Sequence, residues 1–202
     1  GDLAPFAFNP AETHLASGVF AKYNFNKFLA VKVSYYSGSL SGNDALYDQP
    51  FRVKRNLHFE TAINEVAVMG EMNITGFQPH RHKNLLSPYV FAGIGLFHFN
   101  PKANFEGNWV ELQPLGTEGQ GTEAYPDREP YRLTQINVPL GIGFKGNISR
   151  NWNIGVELGW RKTFTDYIDD VSNTYVAKEI LIAENGALAW ELSNRSDEIN
   201  DG

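Results

Sequence analysis

The sequence predicts an all-β fold, an antiparallel up-and-down transmembrane β-barrel, on three observations. Period-2 alternation recurs six times, the polar face of that alternation mixes glycine with charges of both signs, and the connections are short and long in strict turn. Composition agrees, because 14 Phe, 9 Tyr and 4 Trp beside 19 Gly and only 2 Met favour strands over helices. The longest stretch free of Asp, Glu, Lys and Arg, 84–101, holds two prolines and two glycines. That excludes a spanning helix of ~20 apolar residues, but a spanning strand needs only ~9–11.

Six segments carry the alternation. Near 14–25, Leu15, Val19, Ala21 and Tyr23 oppose Ala16, Gly18, Phe20 and Lys22. Near 28–38, Leu29, Val31, Val33 and Tyr35 oppose Ala30, Lys32, Ser34 and Tyr36. Near 60–74, Val66, Val68, Met72 and Ile74 oppose Glu65, Ala67, Met69, Glu71 and Asn73. The segment near 87–99 is apolar on both faces, Val90, Ala92, Ile94 and Leu96 against Tyr89, Phe91, Phe97 and Phe99. Near 132–145, Ile136, Val138, Leu140, Ile142 and Phe144 oppose Gln135, Asn137, Gly141, Gly143 and Lys145, and Pro139 on the polar side costs a ladder bond and predicts a bulge or local irregularity. Near 152–165, Trp152, Ile154, Val156, Leu158 and Trp160 form one apolar face against Gly155, Glu157, Gly159 and Arg161.

A water-soluble sandwich alternates in the same way, so the polar faces carry the distinction. They set Lys22, Lys32, Lys145 and Arg161 against Glu65, Glu71 and Glu157, among glycines that a solvated surface has little use for. Small residues interleaved with opposite charges suit the crowded lumen of a narrow barrel, filled by side chains instead of water. Charges there must pair, and Glu157 is expected to meet Lys145 or Arg161. The links 24–27 and 146–151 are tight and 76–86 is modest, whereas 39–57, 100–130 and 168–202 read as long outer loops of one domain spanning 1–202. Short turns are expected on the periplasmic side of a bacterial outer membrane. Six strands fall short of the ~8 of the smallest membrane barrels, so a strand is expected to be missing at each end, which makes the chain a fragment of its gene product.

No cysteine is present, which excludes a disulfide scaffold, thiolate metal sites and a Cys nucleophile. A formal charge of −6 with no Lys/Arg run longer than a pair argues against nucleic acid as a partner. Four local patterns offer chemistry. The His80-Arg81-His82-Lys83 run has ligand spacing for a metal, against a solvated turn; Asp166, Asp169 and Asp170 offer calcium ligands, against a hydrogen-bond network at a loop base. His14 and Ser17 near Glu12 offer a hydrolase pair, but parity sends them to opposite faces. The glycines of 116–121 offer a phosphate cradle without the strand and helix it requires, against ordering of an outer loop by Trp109 and those glycines.

Two longer runs carry a resemblance. Pro88-Tyr89-Val90-Phe91-Ala92-Gly93-Ile94-Gly95-Leu96-Phe97-His98-Phe99-Asn100-Pro101-Lys102-Ala103, followed by Trp109-Val110-Glu111-Leu112-Gln113-Pro114-Leu115-Gly116-Thr117-Glu118-Gly119-Gln120-Gly121, resembles the PorG-like outer-membrane proteins of the type IX secretion system of Bacteroidota. So does Thr163-Phe164-Thr165-Asp166-Tyr167-Ile168-Asp169-Asp170-Val171-Ser172. The resemblance implies an eight-stranded barrel, without its first and last strands here, that binds no cofactor and catalyses nothing. It implies partnership with outer-membrane lipids, the PorK lipoprotein and PorN of a periplasmic ring, and other secretion components, in protein export and gliding motility. The periplasmic turns would then bind the partner through Asn26, Lys27, His80, Arg81, His82, Lys83 and Arg150. The alternative is a small barrel with an adhesive or lipid-modifying role through its outer loops.

Overall fold

The computed structural model describes residues 14–43, 58–78, 86–149, 151–172, 174 and 176–195. The six alternating segments form strands β1 (Ser17–Asn24), β2 (Leu29–Asn43), β3 (His58–Asn73), β4 (Ser87–Phe105), β6 (Thr134–Asn147) and β7 (Asn153–Thr163), with a short β5 (Asn108–Glu111) between the fourth and fifth of them. All belong to one antiparallel sheet in the order β1-β2-β3-β4-β6-β7, with β5 on β4. Strands pair with their sequence neighbours, as consecutive elements usually do, across short turns and long connections alike. Among the described residues the sheet does not close, since β1 and β7 each pair along one side only. No described helix is long and apolar enough to cross a membrane, which says nothing about strands.

The register keeps parity across the whole sheet. Tyr23 faces Val31, Val31 faces Gly70, Gly70 faces Ala92, Ala92 faces Leu140 and Leu140 faces Trp160, all outward-facing positions in one row. A one-residue slip in any pair would have moved that strand's inward side chains onto the outer face. Pro139 brings the expected local irregularity, as a gap in the ladder and not a bulge. The β4 and β6 ladder lapses between the pairs Ala92 with Leu140 and Gly95 with Asn137, and resumes in the same register. Proline has no N–H to give to β4, so two pairs are lost without an extra residue, while its other side keeps Arg161 of β7 as neighbour.

Three expected extents are corrected. The β2 and β3 strands run to Asn43 and begin at His58, 15 and 16 residues long, so the ribbon extends into what the loop 39–57 had claimed; 44–57 lie outside the described residues. The segment 100–130 is not all loop. Strand β4 continues to Phe105, turns through Glu106 and Gly107 in left-handed conformation, and returns as β5. Pro101 is buried within β4, and its carbonyl accepts from the amide of Leu112. The β5 strand takes the edge of β4 that β6, starting at Thr134, leaves unpaired. The segment 168–202 likewise contains α1 (Lys178–Asn185) and α2 (Ala187–Ser193), packed as a hairpin.

The molecule has two kinds of interior. Within the sheet's concave face, side chains from β2, β3, β4, β6 and β7 meet one another directly. Beyond the outer ends of the strands, a conventional apolar core forms: Ala103, Leu112 and Leu192 pack with Phe59, Phe105 and Leu188, and Val176, Leu181 and Ala189 pack with Tyr125 and Trp190. The α-helical hairpin therefore docks on the extended ribbon and on the loop after β5, as a cap at the loop end of the sheet.

Candidate functional site: a packed polar lumen closed at both ends

Over β2, β3, β4 and β6 the concave face is buried and carries charge, and the convex face is apolar and exposed; the edge strands β1 and β7 are largely exposed on both faces. Lys32 is 1% exposed, whereas Val156 is 73% exposed. Outward positions on every long strand repeat this: Val19, Val33, Val68, Ile94, Ile142 and Leu158 are all exposed. Burial of charge and exposure of aliphatics reverses the arrangement that water imposes on a soluble domain.

All seven lumen charges expected from parity point inward, and they pair across the interior. Lys22 donates to Glu71 Oε2 at 2.5 Å, and Lys145 donates to Oε1 of the same carboxylate. Lys32 Nζ lies 2.6 and 2.8 Å from the two oxygens of Glu157, which also accepts from Tyr89 Oη at 2.7 Å. Arg161 reaches Glu65 at 3.3 Å, and Asn137 Nδ2 donates to the same carboxylate at 2.5 Å. The expected partner of Glu157 is thus corrected, from Lys145 or Arg161 to Lys32. Adjacent-strand reasoning fails here because the sheet curls until β7 faces β2 across the lumen, and contact through the interior outranks contact along the wall.

Aromatic rings fill the space between the ion pairs. Lys32 Nζ lies 4.8 Å from the Phe91 ring centre and Lys145 Nζ 4.6 Å from that of Tyr89. The glycines on this face give those rings room. A Cβ on Gly143 would stand 2.5 Å from the Tyr89 ring, and one on Gly141 2.5 Å from the Phe91 ring.

The lumen is plugged at both mouths. At the turn end, Phe77 is buried, its amide donates to Lys27 O at 2.6 Å, and Lys145 Nζ lies 4.8 Å from its ring centre. At the loop end, Phe97, Phe99, Tyr131 and Tyr167 form a run of stacked rings with centres 5.6, 6.1 and 4.5 Å apart. Above it sits Asp170 in a left-handed backbone conformation, its carboxylate accepting from Thr117 Oγ1 at 2.5 Å and from Tyr131 Oη. Burial pushes the Asp170 carboxyl up to about 7, against the opposing effect of its two hydroxyl donors, and Glu118 and Asp169 nearby push the same way. Burial, and then Asp170, raises the Tyr131 phenol well above its ordinary range.

The other loop residues singled out from the sequence mostly order the cap. The Glu118 carboxylate accepts from the amide of Ser172 at 3.0 Å, and its carbonyl accepts from Arg128. Asn185 of α1 donates to the carbonyl of Gly116, and the amide of Gly121 donates to Arg128 O. Asp166 accepts from Ser172 Oγ and Asp169 from the amide of Val171, so the acidic loop base is a hydrogen-bond network. Glu111 pairs with Lys102 at 3.1 Å, and Trp109 stands exposed on the β4 and β5 hairpin with its ring edge-on to His58. His14 bonds Ser41, not Ser17, at 2.7 Å.

Of the turn residues, Asn26 accepts the amides of Phe28 and Leu29 and so shapes its own turn, while Lys27 supplies the carbonyl that anchors Phe77. His80, Arg81, His82, Lys83 and Arg150 lie outside the described residues. Sequence reasoning missed Tyr89, Asn137, Phe77, Thr117 and Tyr131. Inward parity marked the first two as lumen-facing without marking them as partners, and the other three have no local signal.

A curled antiparallel sheet with an apolar outer wall and a packed, charge-paired interior is the class of protein defined by this geometry. The chain belongs to the family described as a domain of unknown function, DUF6089, which matches residues 1–114. No curated protein matches it, and no solved structure does.

Proposed function

We propose that the sheet is the wall of a small outer-membrane β-barrel, brought to eight strands by pairing on the free edges of β1 and β7. The observation that carries this is the exposed aliphatic band around a buried set of ion pairs, an arrangement that only a lipid surround rewards. The open edges support closure, because an unpaired strand edge in hydrocarbon costs several kcal/mol per polar group.

We further propose, from the resemblance of its loops to the PorG-like proteins, that the barrel is a non-enzymatic part of a type IX secretion machine. In this reading it ties a periplasmic ring of PorK and PorN type to the outer membrane. Contact runs through the turn side, to which Lys27 belongs and to which the sequence assigns Arg81 and Lys83 between β3 and β4. Charge reversal at Arg81 and Lys83 is expected to weaken co-purification with the ring lipoprotein and reduce secretion, while barrel abundance in the outer membrane stays unchanged. The exposed Trp109 on its projecting hairpin favours a second reading, an outward binding role. If the turn variant secretes normally and deletion within 104–125 abolishes ring association, the contact lies on the loop side and the first reading is wrong.

A further inference from the structure

The ion pairs of the lumen do not balance among the described residues. Lys22, Lys32, Lys145 and Arg161 bring four positive charges, and Glu65, Glu71 and Glu157 bring three negative ones. Glu157 serves Lys32 and Glu65 serves Arg161, so Glu71 alone answers both Lys22 and Lys145. A packed interior tolerates an unmatched charge badly, since desolvation is repaid only by a close partner.

The place where the missing charge belongs can be read from exposure. The Lys145 side chain is closed in by Tyr89 and Phe77. Lys22 stands on the edge strand β1, its side chain 18% exposed, two residues from Phe20, which points to the concave side yet is 61% exposed. On the opposite edge the Arg161 side chain is 41% exposed. The lumen is therefore unfilled along the gap between β1 and β7, and its nearest cation with only a shared partner is Lys22.

We infer that the strand pairing on the free edge of β1 carries an inward carboxylate that reaches Lys22. This rests on the closed-wall reading and adds the chemistry of the closing segment. The occupant is an amphipathic strand of this same protein, apolar on its outer face and acidic at an inward position beside Phe20 and Lys22. A second copy of the sheet is disfavoured by the contact of Lys32 with Glu157: β2 and β7 already meet across the lumen, so the gap admits one or two strands and not another sheet.

The test compares two variants of the full-length protein extracted from outer membranes, followed by the temperature at which the compact band on a cold SDS gel is lost. Glu71→Gln with Lys145→Met removes the shared carboxylate and its other lysine, so Lys22 depends on the closing strand alone. Adding Lys22→Met to that double variant is expected to lower the transition by ~5 °C or more, because it orphans a carboxylate. A transition that stays or rises would mean that Lys22 had no further partner, and would overturn the inference. Should the double variant not fold, the same comparison is made in the Glu71→Gln background, where Lys22 has lost its described partner, and is read by the same signs. A compact band of dimer size would place a second copy in the gap and also overturn it. Absence of any heat-modifiable band in the wild type would instead sink the closed-wall reading.

Discussion

Replacing Asp170 by Asn tests the cap at its most strained electrostatic point. The carboxyl is buried, accepts from Thr117 and Tyr131, and titrates at about 7 instead of its ordinary 3.8. A raised folded-state value in an acid means that the folded cap binds a proton which the opened segment has released. The cap is therefore most stable at low pH and loses stability as pH rises through 7. Between pH 5 and pH 8 the opened form stays ionised while the closed form gives up its proton, across about two units below its folded value. At ~1.4 kcal/mol per unit this amounts to about 2–3 kcal/mol of weakened closure. Glu118, Asp169, Tyr131 and Tyr167 are the other titratable groups around it; of these, Glu118 is to be neutralised as a control because it pushes the same way. Amide exchange of Gly119, Thr122 and Asp170, corrected for intrinsic rate, should report cap opening about 100-fold more favourable at pH 8 than at pH 5. In Asp170→Asn that pH slope should flatten, since both hydroxyls can turn to accept or donate. Equal opening at the two pH values in the wild type would refute the reasoning, and so would an unchanged slope in the variant.

The remaining predictions concern the wall and the inner plug. Leu158→Arg should cost ~2–4 kcal/mol near a bilayer midplane and reduce insertion in a membrane-assembly assay, whereas a soluble sheet would accept it on an exposed face. Gly143→Ala drives a methyl into Tyr89 and should break its bond to Glu157, at ~1–3 kcal/mol; an unchanged heat-modifiability midpoint would contradict the packing. Phe77→Ala should open the turn-side mouth and cost ~3–5 kcal/mol, with small-ion conductance appearing in planar bilayers only when the outer cap is loosened as well.

Parity was legible because it is a property of the chain. Alternation from Trp152 to Trp160 and from Ile136 to Phe144 told which side chains share a face before any pairing was known, and the register preserves it. Curvature was not legible. Whether Glu157 meets Lys145 next door or Lys32 across the lumen depends on how tightly the sheet curls, which no local pattern encodes. The cap was hidden for a different reason. Thr117 and Asp170, Tyr131 and Asp170, and Asn185 and Gly116 are each separated by 39 to 69 residues, and neither partner signals its need for the other. The β4 and β5 hairpin was obscured by Pro101, a residue that tells against strands except where an edge carbonyl can still be used.

The double sealing of the interior has a consequence for the cell that carries such a wall. Phe77 closes one mouth, the Phe99, Tyr131 and Tyr167 stack closes the other, and lysines and glutamates clamp one another between. In the closed wall proposed above, these plugs would interrupt the path from mouth to mouth, so copies could be added to a membrane without adding leak. On that proposal, an outer membrane that must exclude bile salts or antibiotics could carry many such barrels and keep its permeability barrier intact.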